Sequence, residues 1–292
     1  MSARGDARLF DLGYRNYDGP RERPARAILT LAEFTARRVL GLGRGSRAKV
    51  LPAIILAIAF LPALFSVAFA ALADNAVAND FVTYGDYIFI ISSALALFAA
   101  LVAPEALCPD RRSGLLGLYL AGPLDRTRYL LAKGLGVVAV MLLITIGPLL
   151  FMLLALTIAG FGPSISEVPK TLAQILAAGT STALVYAALS MAVSSFTTRR
   201  AAAAVGVVLL IFVPMTIVRA AIEHSGAPNE LDLFSSPFVV ANLAYRIFGE
   251  TADGTEPVAE LSTWLVVFGV GAAVLAGGLV CWLRYRRLEA FR

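Results

Sequence analysis

Histidine occurs once in this chain, cysteine twice and lysine three times, and these scarcities exclude much before any motif is sought. His224 has no second imidazole with which to hold a metal or to build a catalytic triad, and beside Glu223 it reads as a solvated side chain. Cys108 and Cys281 are too few for a structural zinc site and offer no disulfide framework. None of Lys49, Lys133 and Lys170 belongs to a Gly-x-x-x-x-Gly-Lys-Ser/Thr run, so the chain carries no phosphate-binding loop of its own. Gly-x-Ser-x-Gly is absent as well. Glu250, Asp253, Glu256 and Glu260 lack the spacing of a calcium loop and read as a solvated acidic face. The glycines at 41, 43 and 45 follow no strand, match no dinucleotide fingerprint, and read as a flexible joint.

What the chain has instead is apolar length. Hydrophobic residues make up 59% of it, charged residues only 15%, and the mean hydropathy is +0.78, which lies outside the range of soluble domains. Runs of about 20 apolar residues, enough to cross roughly 30 Å of hydrocarbon, fall near 51–73, 87–104, 134–159, 172–196, 201–219 and 262–283. The fold class is therefore an all-α integral membrane protein with six transmembrane helices. The first run begins too late and is too long for a cleaved signal peptide. Residues 1–50 form an amino-terminal arm and connecting helix, 51–284 the membrane domain with an outer segment at 223–261, and 285–292 a tail.

Charge orients these spans. Of the 25 Lys and Arg, 22 fall on one side of the alternating spans and 3 on the other, while the acidic residues divide 9 and 11. By the positive-inside rule both termini are cytoplasmic, in the plasma (inner) membrane. The net charge of +5 then concerns anionic lipid headgroups and not nucleic acid.

The flanking segments carry the remaining signals. From Pro24 to Leu40, Arg26, Thr30, Glu33 and Arg37 share one stripe and Ile28, Leu31, Ala32, Val39 and Leu40 lie largely elsewhere, predicting an amphipathic helix suited to the membrane interface, with Glu33 and Arg37 as an i,i+4 pair. After the second span, Asp110 is expected to cap a short helix containing Leu115, Leu116, Leu118 and Tyr119 and ended by Gly122-Pro123, and Asp125 to cap the next. That short helix reads either as a lever for a cytoplasmic partner or as a helix lying on the membrane surface. The apolar stretch Leu231–Phe248 is too interrupted to cross, and with Pro237, Asn242 and Arg246 it predicts a re-entrant or interfacial element.

No span offers a carboxylate, which disfavours an ion-coupled carrier, since a coupling ion must bind near mid-membrane. Ser181, Thr182, Tyr186 and Ser190 in the fourth span are candidates for lining a path, though helix packing is the preferred reading of such small and hydroxyl residues.

Taken together, an interfacial helix, six spans, a helix after span two and a long outer element before span six resemble the permeases of type-2 ATP-binding-cassette exporters. The resemblance is sharpest at Asp110-Arg111-Arg112-Ser113-Gly114-Leu115-Leu116, Leu118-Tyr119-Leu120, Pro123, Arg126, Tyr129-Leu130 and Lys133, where Leu115 and Gly117 replace the Thr and Glu frequent in the family. Tyr14-Arg15-x-Tyr17-x-Gly19-x-Arg21 is similar to an amino-terminal run of some of these permeases. The resemblance implies a homodimer, or a close heterodimer, of permeases with two separate ATP-binding subunits, which would bind ATP and Mg; this chain itself holds no cofactor and is not an enzyme. It further implies that Asp110, Arg111, Arg112, Leu116 and Tyr119 on a coupling helix contact the ATPase subunit, with Tyr14, Tyr17 and Arg21 as further contacts. A neutral path between two copies suits an amphipathic or lipid-like cargo. The alternative from another class is a non-transporting membrane subunit that relays ATPase force or signal to an outer partner.

Overall fold

The computed structural model describes residues 24–43, 45–72, 83–120, 124–250 and 261–287. Among these there is no strand. The helices are α1 (Pro24–Val39), α2 (Ser46–Leu72), α3 (Tyr84–Ile90), α4 (Ser92–Arg112), α5 (Leu115–Leu120), α6 (Arg126–Ala159), α7 (Val168–Ser194), α8 (Arg200–Ser225), a 3-10 turn (Asn229–Phe234), α9 (Ser236–Phe248) and α10 (Thr263–Arg286). Six of them, α2, α4, α6, α7, α8 and α10, are long and apolar enough to cross a membrane. Because successive spans alternate, the carboxyl ends of α4, α7 and α10 meet the amino ends of α2, α6 and α8 at one end of the bundle. That end is rich in arginine; the other carries the outer element.

The spans are unequally buried, and the difference sets the architecture. In α4, 83% of the apolar window is buried, against 22% in α8 and α10 and 28% in α2. Helix α4 is the axis, with α6, α7 and α8 packed around it. Small residues at 94, 96, 99, 100, 103 and 106, all alanine and all buried, allow these neighbours to approach closely. Span two is displaced from its predicted bounds at both ends. Residues 84–90 form a separate helix, started by a capping box between Thr83 and Asp86. At the other end α4 continues through Pro104 and Pro109 to Arg112. A proline deletes one helical hydrogen bond and crowds the preceding turn, but both prolines are buried, and packing on all sides holds the helix together.

Helix α1 has the predicted amphipathic character: Glu33 and Arg37 pair at 2.6 Å on its exposed face. Its apolar face, however, is covered by protein. Leu31, Ala32, Thr35 and Val39 are buried, and α1 packs along α6. Gly136 makes this possible, since a Cβ there would stand 2.6 Å from the Ala32 carbonyl oxygen and 2.8 Å from Thr35 Cβ. The following glycines also have a definite task. Gly41, at φ 71°, turns the chain out of α1 while the Gly41 and Leu42 amides donate to the Arg38 and Arg37 carbonyls at 3.1 and 2.8 Å, a glycine stop that ends α1.

At the opposite end, α9 is 13 residues long, too short to cross, and every residue from Ser236 to Tyr245 is buried. It packs on α3, α7 and α10. The Tyr245 hydroxyl donates to Asp86 at 2.5 Å. Glu250 accepts from the Tyr84 and Gly85 amides at 3.1 and 2.7 Å, closing the amino end of α3. Arg246 donates to the Leu261 carbonyl at 2.6 Å, tying α9 to the entrance of α10. Asp232, in the 3-10 turn, is 2% exposed and its Oδ1 finds no hydrogen-bond partner among the described residues. Burial raises its pKa to about 6, against the opposing pull of Arg219.

Gly136→Val should lift α1 from α6, destabilising the protein by about 1–3 kcal/mol; a Leu31→Cys reporter, protected in the parent, should then react with a water-soluble maleimide. For Asp232, the folded pKa lies above the unfolded value, so the native state holds the proton more tightly and stability falls as pH rises from about 4 to about 6. Asp232→Asn should remove that dependence and raise stability at pH 7.5 by up to about 3 kcal/mol, as read from thermal unfolding at about pH 4 and about pH 7.5.

Candidate functional site

At the arginine-rich end the last two turns of α4 present two carboxylates toward the protein interior. Asp110 is fully buried. Its Oδ2 lies 2.6 Å from Lys133 Nζ and accepts from the Tyr129 hydroxyl at 3.0 Å, while Oδ1 accepts from Arg38 Nη1 at 3.0 Å. Tyr129 and Lys133 are i,i+4 on α6, so one helix face delivers both. Glu105, also buried, stands 3.6 Å from Arg38 Nε and pairs through its other oxygen with Arg200 at the start of α8. Three cations and two carboxylates thus join α1, α4, α6 and α8.

Rings and a clamp extend this clasp. The Tyr119, Tyr129 and Tyr285 rings succeed one another at 5.6 and 6.0 Å, linking α5, α6 and α10. Lys133 Nζ lies 5.8 Å from the Tyr119 ring centre and 5.6 Å from that of Tyr129, so the quadrupoles of both rings add to the stabilisation of the buried ammonium. Burial raises the Tyr119 phenol pKa, with Asp110 adding to the effect and Arg38 opposing it. Arg111 donates to the Ser195 and Thr197 carbonyls at 2.5 and 3.3 Å and lies over Tyr285 at 5.9 Å, which fastens the α7–α8 hairpin to the same centre.

These contacts revise the expected roles of several residues. Asp110 does not cap a short helix: it belongs to α4, and its buried carboxylate is consumed by internal partners, so its side chain presents no surface to another subunit. Arg111 is likewise turned inward. Arg112 is exposed at the end of α4. Gly114, at φ 72°, reverses the chain into α5, where Leu116 is buried, Tyr119 is half-buried against Tyr129, and Leu118 is 71% exposed. Asp125 does cap α6, accepting from the Arg128 amide at 2.7 Å. Tyr14, Tyr17 and Arg21 lie outside the described residues.

The candidate path residues all lie on α7. Thr182, Tyr186 and Ser190 are buried within a single chain and Ser181 is half-buried. The Ser181 and Thr182 hydroxyls donate to the Ala178 carbonyl at 2.9 and 2.8 Å, and Ser190 to Ala187 at 3.1 Å. Hydroxyls satisfied by their own helix are what helix packing predicts.

Sequence reading did not single out Arg38, Glu105 and Arg200, and placed Tyr129 and Lys133 only within a motif. The signal was nevertheless present in part: Lys133 opens a long neutral run four residues after Tyr129, an expensive position for an ammonium unless a carboxylate meets it.

A family model described as ABC-2 family transporter protein matches residues 36–287, a stretch that contains every residue of the clasp. The chain belongs to that family: it is a multi-pass membrane protein and the permease component of an ABC transporter, a membrane subunit without an ATP site of its own. Family membership implies association with an ATP-binding subunit. No curated protein matches the chain.

Removing one partner from a buried ion pair leaves a charge without compensation. Lys133→Met should cost about 3–5 kcal/mol, whereas Asp110→Asn combined with Lys133→Met should recover most of that loss. A double-mutant cycle on thermal unfolding in detergent measures the coupling.

Proposed function

We propose that this chain is the permease of an ATP-driven exporter that works as a dimer, with the arginine-rich end in the cytoplasm and two separate ATP-binding subunits docked there. The observation that carries the reading is the pairing of exposed Arg112 and Leu118 with the clasp directly behind them. Closure of the ATP-binding subunits presses on α5. Because Tyr119 abuts Tyr129 and Lys133, the push passes into α6, and through Asp110 and Glu105 into α4, α1 and α8. A rigid network with few alternative arrangements transmits a displacement; a soft apolar contact would absorb it.

The second copy packs along α8. Val205, Leu209, Val213 and Ile217 are exposed at successive i,i+4 positions, an uncovered stripe on one of the least buried spans. The path between copies is then lined by neutral side chains and suits an amphipathic or lipid-like cargo. ATP and Mg belong to the partner subunit. Polarity follows from the 22 basic residues on one side of the spans and the positive-inside rule.

Isolation from the native membrane in mild detergent should bring down a stoichiometric protein bearing a phosphate-binding loop, identified by mass spectrometry. Leu118→Asp, which leaves the clasp untouched, should weaken that association about tenfold, the effect of losing one apolar anchor worth about 1.4 kcal/mol, without lowering thermal stability. Failure to recover such a partner in several detergents, with the chain still folded, would overturn the reading.

A further inference from the structure

A groove on the flank of α6, α7 and α10 lies beside the ion pairs of the clasp and away from α8. Its apolar part, about 350 Å³, is walled by Leu131, Leu135, Val138, Leu184 and Val274. Toward the arginine-rich end a second cavity of about 320 Å³ adjoins it and is lined by Asp125, Arg126, Arg286 and the clasp's Tyr285. Thr127, Leu130 and Trp282 line both, so the two form one continuous feature, apolar along its length and cationic at its mouth.

The details of that mouth favour an anion. Arg126 donates one guanidinium hydrogen to the Arg286 carbonyl at 2.6 Å, which holds the guanidinium at the rim. The Arg286 guanidinium lies 5.3 Å from the Trp282 ring centre, and the indole N–H donates to Thr127 Oγ1 at 3.4 Å. Trp282 lies about one turn from the end of α10, and span ends are where tryptophans concentrate. Among the described residues the carboxylate at the mouth is that of Asp125, which caps α6 and lies 3.7 Å from Arg128. Two arginines fixed by backbone and ring contacts match a phosphodiester, while the slot below them matches an acyl chain.

We propose that this groove binds one anionic glycerophospholipid from the leaflet at the arginine-rich end, with its phosphate between Arg126 and Arg286 and one acyl chain along Leu135 and Val138. The lipid wedges α6, α7 and α10 together. This site is separate from any path at α8 and depends only on the chain spanning a membrane, not on the ATPase partner.

Native mass spectrometry of the full-length, delipidated protein, with phosphatidylglycerol or phosphatidylcholine of equal chain length added, tests the assignment. The parent should retain one phosphatidylglycerol in preference to phosphatidylcholine. Arg126→Gln combined with Arg286→Gln should lower phosphatidylglycerol retention about tenfold or more, at about 1 kcal/mol for each arginine, and leave phosphatidylcholine unchanged. Gly278→Leu fills the slot from a position where an added Cβ meets nothing within 4 Å, and should lower retention of both lipids without altering helicity. Equal retention of the two lipids by the parent, or unchanged retention in Gly278→Leu, would overturn the proposal. So would a Gly278→Leu protein that loses a dimer in place of a lipid, since the groove would then hold a second copy.

Discussion

The carboxylate of Asp110 is the constraint around which one end of this molecule is organised. A charge removed from water at the end of a membrane helix is tolerated only with opposite charge and hydrogen bonds close by. Here Lys133, Arg38 and Tyr129 supply them from two other helices. Arg38 also faces Glu105, which in turn meets Arg200 on a fourth. Satisfying one buried acid therefore sets the relative positions of α1, α4, α6 and α8 at that end.

Such a network contributes little net stability compared with apolar packing of the same volume, and its value lies in directional specificity. Leucine against leucine permits sliding; five charges with defined partners do not. The short helix α5 rests on this assembly through Tyr119 and Leu116, while Leu118 and Arg112 face outward. The opposite end uses the same logic in milder form: Glu250 and Asp86 tie α3 to α9 through backbone amides and the Tyr245 hydroxyl. Between these two polar closures the bundle is held by small residues and close approach, as where Gly277 meets the Ala188 backbone and Gly179 meets Ile146. Both ends are thus specified by polar contacts and the middle by shape.

Much of the fold was legible residue by residue. Hydropathy windows located six spans, although span two begins and ends later than its apolar run because a capping box detaches α3 and because packing carries α4 through Pro104 and Pro109. Periodicity identified α1, and the rules of capping identified Asp125. The site was legible only in fragments. Asp110 read as a helix cap, and the family resemblance gave Asp110 and Arg111 a contact with the ATPase subunit. Nothing local to Asp110 indicates that Lys133 and Arg38 will reach it. The hydroxyls of α7 show the same limit, since a serine that bonds its own helix and one that faces a cavity look alike in sequence.

What the sequence determined by itself is whatever adds up along the chain: apolar length, the sidedness of its basic residues, helix starts, and the lack of any nucleotide-binding loop. These depend on each segment's own exchange between water and lipid, or on hydrogen bonds within a few residues. What only the tertiary structure decided is which charges are internal and which exposed, which face of α1 is covered, and where a groove with a cationic mouth opens between α6, α7 and α10. Those outcomes depend on contacts between residues far apart in the chain, in which a buried ion's cost and its compensation come from different helices and exist only once the helices have packed.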